Sequence, residues 1–107
     1  MTTLRSSISD TVNDINKLLI RTRDPEHEKR LRRLRRIYFA LWEEVIRQEI
    51  ASNTHEFKEA IEALEEADAA VEAAKQDMEN IVKAINKSVS AAKAVDKVVK
   101  LGIDLIA

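Results

Sequence analysis

The chain has 107 residues and a mass of 12.2 kDa; 35% of its residues are charged, yet the formal net charge at pH 7 is only −1. That length suits one domain with a modest core, and near-neutrality argues against a molecule that binds polyanions over its whole surface. With no cysteine there is no disulfide, zinc-thiolate site, iron–sulfur cluster or thiol nucleophile, and a single glycine cannot form a phosphate-cradling loop.

Pro25 is the only proline and Gly102 the only glycine, so the 76 residues from Glu26 to Leu101 contain no strong backbone breaker. Such a chain, rich in Ala, Glu, Lys, Leu and Arg with apolar residues every three or four positions, is predicted to be all-α. The expected fold is a single domain over 1–107, an antiparallel bundle of three long helices, or of four if the last one breaks near 86–90.

The first helix is expected over about 4–23. Leu4, Ile8, Val12, Ile15, Leu18 and Leu19 make one apolar stripe, with Asp10, Asn13, Asp14 and Lys17 on the other side. Arg23-Asp24-Pro25 ends it, because the residue before proline avoids helical dihedrals. Asp24 is a natural N-cap and Pro25 a natural first residue for the next helix, predicted over 25–51. Leu31, Leu34, Tyr38, Leu41 and Val45 follow the four–three spacing of a packed seam. Ile37, Phe39, Ala40, Trp42 and Ile46 widen its apolar face, and a helix apolar on most sides is contacted on more than one.

Ser52-Asn53-Thr54 is the expected turn, with Asn53 and Glu56 resembling a capping box. From there Phe57, Ile61, Leu64, Val71, Met78, Val82, Ile85, Val89, Ala92, Val99, Ile103 and Ile106 share one heptad register, interrupted by Asp68, Lys75 and Asp96. Polar residues on a seam can specify register or partner. A continuous helix to Leu101 would be about 70 Å long against about 40 Å for the second helix. The tail must then either fold back as a fourth helix, giving helices over about 54–86 and 88–105, or be covered by another copy. Self-association, with a dimer favoured, is the expectation. Ile37, Phe39, Trp42 and Ile46 on the broad face and Val89, Val95, Val99 and Ile103 on the tail are the candidate interface residues.

Lys29-Arg30-Leu31-Arg32-Arg33-Leu34-Arg35-Arg36 places six cations in eight residues. Arg30, Arg32, Arg33, Arg35 and Arg36 could bind phosphate or nucleic acid, or could answer the acidic segment from Glu56 to Glu79, which carries nine acidic residues against Lys58 and Lys75. The second reading is preferred, since charge runs are most often solvated faces and no recognition-helix signature accompanies this one. A hairpin of the second and third helices would bring Glu66, Asp68, Glu72, Asp77 and Glu79 within reach of the arginines.

Magnesium-dependent helical nucleotide pyrophosphohydrolases use Glu-Glu-x-x-Glu followed by Glu-x-x-Asp. Glu65 and Asp68 supply the second half, but Glu43-Glu44 is followed by Arg47 where the third carboxylate belongs, and a cation there repels the metal. His27 and His55 lack the Glu-x-x-His pattern of di-iron bundles. Lys83, Lys87, Lys93, Lys97 and Lys100 give the last segment a basic face that could lie on an anionic membrane or in a partner's groove; packing within the bundle is favoured.

No catalytic residue, cofactor or metal is expected. The longest uninterrupted apolar run, Ile37–Trp42, is six residues, against roughly 20 needed to span a bilayer, and the Ser/Thr-rich start lacks the apolar core of a signal peptide. The expected role is a cytoplasmic, non-enzymatic adaptor or assembly module, such as a small component of a bacterial cell.

Overall fold

Three of the four helices start where the sequence offers a side-chain oxygen to otherwise unpaired amides. In the computed structural model, which describes residues 3–48, 50–100 and 102, four α-helices and no strand occur among those residues: α1 Leu4–Arg21, α2 Pro25–Arg47, α3 His55–Gln76 and α4 Ile81–Val99. Thr3 accepts from the Ser6 amide at 3.1 Å, Asp24 from Glu26 at 2.9 Å and Thr54 from Phe57 at 3.2 Å. Asp24 and Pro25 thus act as expected, whereas the cap of α3 is Thr54 and not Asn53.

The helix ends fall inside the predicted ones. The Thr22 hydroxyl donates to the Leu18 carbonyl at 2.7 Å and stops α1 at Arg21. Gln48 leaves the helical conformation, ending α2 at Arg47, and its side chain donates to the Val99 carbonyl at 2.9 Å, which satisfies the last turn of α4.

The long third helix does break, but at Asp77–Asn80 and not near 86–90. Asp77 is extended, its carboxylate accepts from the Glu79 amide at 3.0 Å, and a single 3-10 turn over Met78–Asn80 leads into α4. Asn86, Ser88 and Ser90 are helical residues within α4. The break also shifts the helical phase by one residue. Ile81, Ile85, Ser88, Ala92, Val95 and Val99 face inward, while Val82 rotates out to 45% exposure and Val89 and Asp96 are half-buried.

Two antiparallel hairpins, α1–α2 and α3–α4, pack side by side, with α1 against α3 and α2 against α4. Among the described residues the backbones of α2 and α3 do not adjoin, and neither do those of α1 and α4: these pairs occupy opposite corners. The ion-pairing hairpin of the second and third helices therefore does not form. The described residues measure 39 × 26 × 18 Å.

The core is aliphatic around one phenol. Leu4, Ile8, Val12, Ile15 and Leu18 of α1 and Leu31, Leu34, Tyr38, Leu41 and Val45 of α2 are buried, as their spacing predicts. From α3 come Ala60, Leu64, Ala67, Val71 and Ala74, small enough to bring neighbouring backbones close. Tyr38 is fully buried and donates to the Ser88 carbonyl of α4 at 2.5 Å. Burial, then the Asp68 charge, push its ionisation far above the usual range, so it remains a protonated donor.

Candidate functional site

The first hairpin presents the surface that differs most from an ordinary solvated one. On α2 the buried seam is flanked by a second stripe at four–three spacing: Glu28, Arg32, Arg35, Phe39, Trp42 and Ile46. Its start is charged and its end apolar. Phe39 and Ile46 are each 49% exposed, and Trp42 is half-buried. Across the hairpin Arg35 donates to the Asn16 side chain at 2.9 Å, and Asn16, Leu19 and Ile20 line a shallow cleft with Glu28, Arg32 and Arg35. Ile20 is 86% exposed. Of the four exposed large hydrophobics among the described residues, three (Ile20, Phe39 and Ile46) lie on this hairpin.

The candidate interface residues thus separate. Phe39, Trp42 and Ile46 lie on the stripe above, and Ile37 is half-buried on the flank of α2 that meets α4. Val89 is half-buried, while Val95 and Val99 belong to the core, because the turn at Asp77–Asn80 folds the tail back. Ile103 lies outside the described residues. Ile20 was missed by sequence reasoning; its signal was the run Leu18-Leu19-Ile20, of which a helix can bury only part.

The basic run is divided between two neighbours. Arg30 donates to Asn86 of α4 at 3.3 Å and Arg35 to Asn16 of α1, on opposite flanks of α2. Arg32 pairs with Glu28 at 2.6 Å, Arg33 is half-buried, and Arg36 is exposed. Their partners therefore draw these guanidinium groups apart.

A second polar constellation sits between α1 and α3, where Asp68 and Lys75 interrupt the apolar register. Thr11, fully buried, donates to Asp68 at 2.9 Å. Asp14 lies beside Asp68 and 3.9 Å from the Lys75 ammonium, which also pairs with Glu72 at 2.5 Å. Burial pushes the Asp68 carboxyl up to about 6; the Thr11 hydroxyl opposes this, and Asp14 and Asp10 reinforce it. Burial also raises Asp14, while the bond from Lys75 lowers Glu72. Arg21 donates to the Lys75 carbonyl and ties the ends of α1 and α3 together.

No three His, Asp or Glu side chains among the described residues come together as a metal site. Glu43 and Glu44 stand on α2, with Arg47 3.9 Å from Glu44, whereas Glu65 and Asp68 stand on the opposite corner. The two halves of the pyrophosphohydrolase pattern do not share a face. The cationic side of α4 is solvated, with Lys87 3.6 Å from Glu66, and its apolar stripe packs in the bundle. No described helix is long and apolar enough to cross a membrane.

These features define an all-α protein built as a four-helix bundle. Comparison with protein-family models, with curated proteins and with solved structures finds no match.

Proposed function

We propose that this chain is a non-enzymatic interaction module that assembles with copies of itself through the outer face of the first hairpin, in an adaptor or assembly role. The observation that carries the reading is the exposure of Phe39 and Ile46 on one stripe with Trp42; Ile20 of the adjoining helix is exposed at the other, charged end of that stripe. Apolar side chains grouped this way, rimmed by arginines, have the make-up of a contact surface: aromatic residues and arginine are enriched at interfaces, and burying them removes apolar area from water. The core does not require these side chains outside, since Leu31, Leu34, Tyr38, Leu41 and Val45 already bind α2 to its neighbours.

Light scattering over a range of protein concentrations tests this. The expected result is a mass above that of one chain that rises with concentration. The double variant Phe39→Glu/Ile46→Glu should shift the protein to a single chain with its helical circular dichroism unchanged. A wild-type protein that stays a single chain throughout would overturn the reading.

A further inference from the structure

We propose that two copies of the chain pair with α2 antiparallel to α2, related by a two-fold axis perpendicular to the helices at the level of Phe39. This rests on the self-association proposed above and specifies its geometry. The exposed apolar residues of the first hairpin are strung along it, with Phe39 in the middle. Ile46 lies two turns beyond Phe39, about 10 Å along α2. Ile20 lies on the other side, in the cleft beside Glu28 and Arg32, which precede Phe39 by about 10–16 Å. Half a turn about the axis therefore lays Ile46 of each copy over the Ile20 end of the other and sets Phe39 against its own counterpart. One operation covers all three side chains in both copies.

The charges obey the same axis. Arg36 stands one turn before Phe39 and Glu43 one turn after it, both exposed and both on the solvent side of the stripe. Neither side chain has an ion-pair or hydrogen-bond partner among the described residues. The two-fold puts Arg36 of each copy beside Glu43 of the other, twice, along one edge of the contact. A parallel copy would instead set arginine beside arginine and leave Ile20 uncovered. Arg47, the cation at the end of α2, is 3.9 Å from Glu44 of its own chain. On the α1 flank, one and two turns from the Arg35–Asn16 bond, Asn13 and Ser9 are exposed, small and uncharged, so α1 sets no like charge against the incoming helix. The surface is thus complementary to itself, and a contact of this kind closes at two copies. Charge matching then fixes orientation and register.

Sedimentation equilibrium on the full chain tests the proposal. The mass should rise with concentration to a plateau at twice that of one chain. Arg36→Glu and Glu43→Arg should each weaken the dimer roughly tenfold or more, because each reversal makes like charges meet at two symmetry-related places. Circular dichroism checks that both variants still fold. The double variant Arg36→Glu/Glu43→Arg should restore the dimer, and so should an equal mixture of the two single variants, which misfolded proteins could not do. Because the chain has no cysteine, Ile20→Cys and Ile46→Cys each introduce a unique thiol. A short bis-maleimide should join the mixture of these two variants far more than either alone. A mass that climbs past two copies would overturn this arrangement and leave self-association standing. So would a dimer indifferent to both reversals, or cross-linking no greater in the mixture. A single chain at every concentration would overturn both.

Discussion

The two hairpins reach similar burial by opposite means. The first packs large side chains, with Leu31, Leu34, Tyr38 and Leu41 facing Ile8, Ile15 and Leu18, and it leaves apolar bulk outside. The second packs small ones: Ala60, Ala67 and Ala74 on α3 and Ala84, Ala91 and Ala92 on α4 let the two backbones come close, and its outer face is charged. One hairpin gains stability from volume and the other from proximity. The first is therefore vulnerable to loss of volume and the second to excess of it.

Substitutions in the two halves should separate these modes. Leu34→Ala empties a buried site in the first hairpin and should cost about 2–5 kcal/mol, the transfer free energy of the lost methyl groups plus the cavity. Ala67→Leu forces added bulk between close helices and should cost about 1–3 kcal/mol. Urea unfolding measures both. An Ala67→Leu protein as stable as the parent would mean that the second hairpin is looser than its alanines indicate.

The seam between the hairpins offers a pH-dependent comparison. Asp68 titrates near 6 in the folded chain against 3.8 when exposed. The folded state then binds the proton more tightly, so this group's contribution falls as pH rises from about 4 to about 6 and is constant above. Asp14, Asp10, Glu72, Lys75 and the Tyr38 phenol surround it and add their own charges or dipoles. Asp68→Asn keeps an acceptor for the Thr11 hydroxyl, offers Asp14 a donor and removes one buried charge. At pH 7 it should raise stability by about 1–2 kcal/mol, less than the full shift implies because solvent reaches the carboxyl. It should also flatten the decline between pH 4 and 6. Thermal melts of both proteins across that window decide the matter; parallel curves would remove Asp68 as the source.

Much of the first hairpin was legible in the sequence. The spacing of Leu4, Ile8, Val12 and Ile15, and of Leu31, Leu34, Tyr38, Leu41 and Val45, names its core, and Asp24-Pro25 marks its turn. The second hairpin was less legible, for a physical reason. An unbroken heptad count carries Val82 and Val89 into the seam, but the Asp77–Asn80 turn resets the phase and puts Ile81, Ser88 and Val95 there instead. No proline or glycine announces that turn. Helix adjacency was hidden too, because linear periodicity gives each helix a face without saying which neighbour meets it. Of the candidate site, the widened apolar face of α2 was readable from Phe39, Trp42 and Ile46, whereas Ile20 became conspicuous only once Leu18 was buried and Leu19 half-buried.

That turn supplies the smallest expected effect. Asp77 holds the Glu79 amide with its carboxylate, so Asp77→Ala removes a cap and should cost about 0.5–1 kcal/mol, a drop of a few degrees in melting temperature. The two helices should nevertheless stay separate. A continuous α3–α4 rod would carry Ile81, Ile85, Val95 and Val99 away from the bundle, along with the carbonyl of Ser88 that Tyr38 needs, and the apolar area lost outweighs one cap many times over. Tertiary packing, not the local signal, decides where this chain bends. A radius of gyration measured by solution scattering should therefore match in Asp77→Ala and the parent at the same low concentration and high salt; an elongated variant would show that the aspartate itself makes the bend.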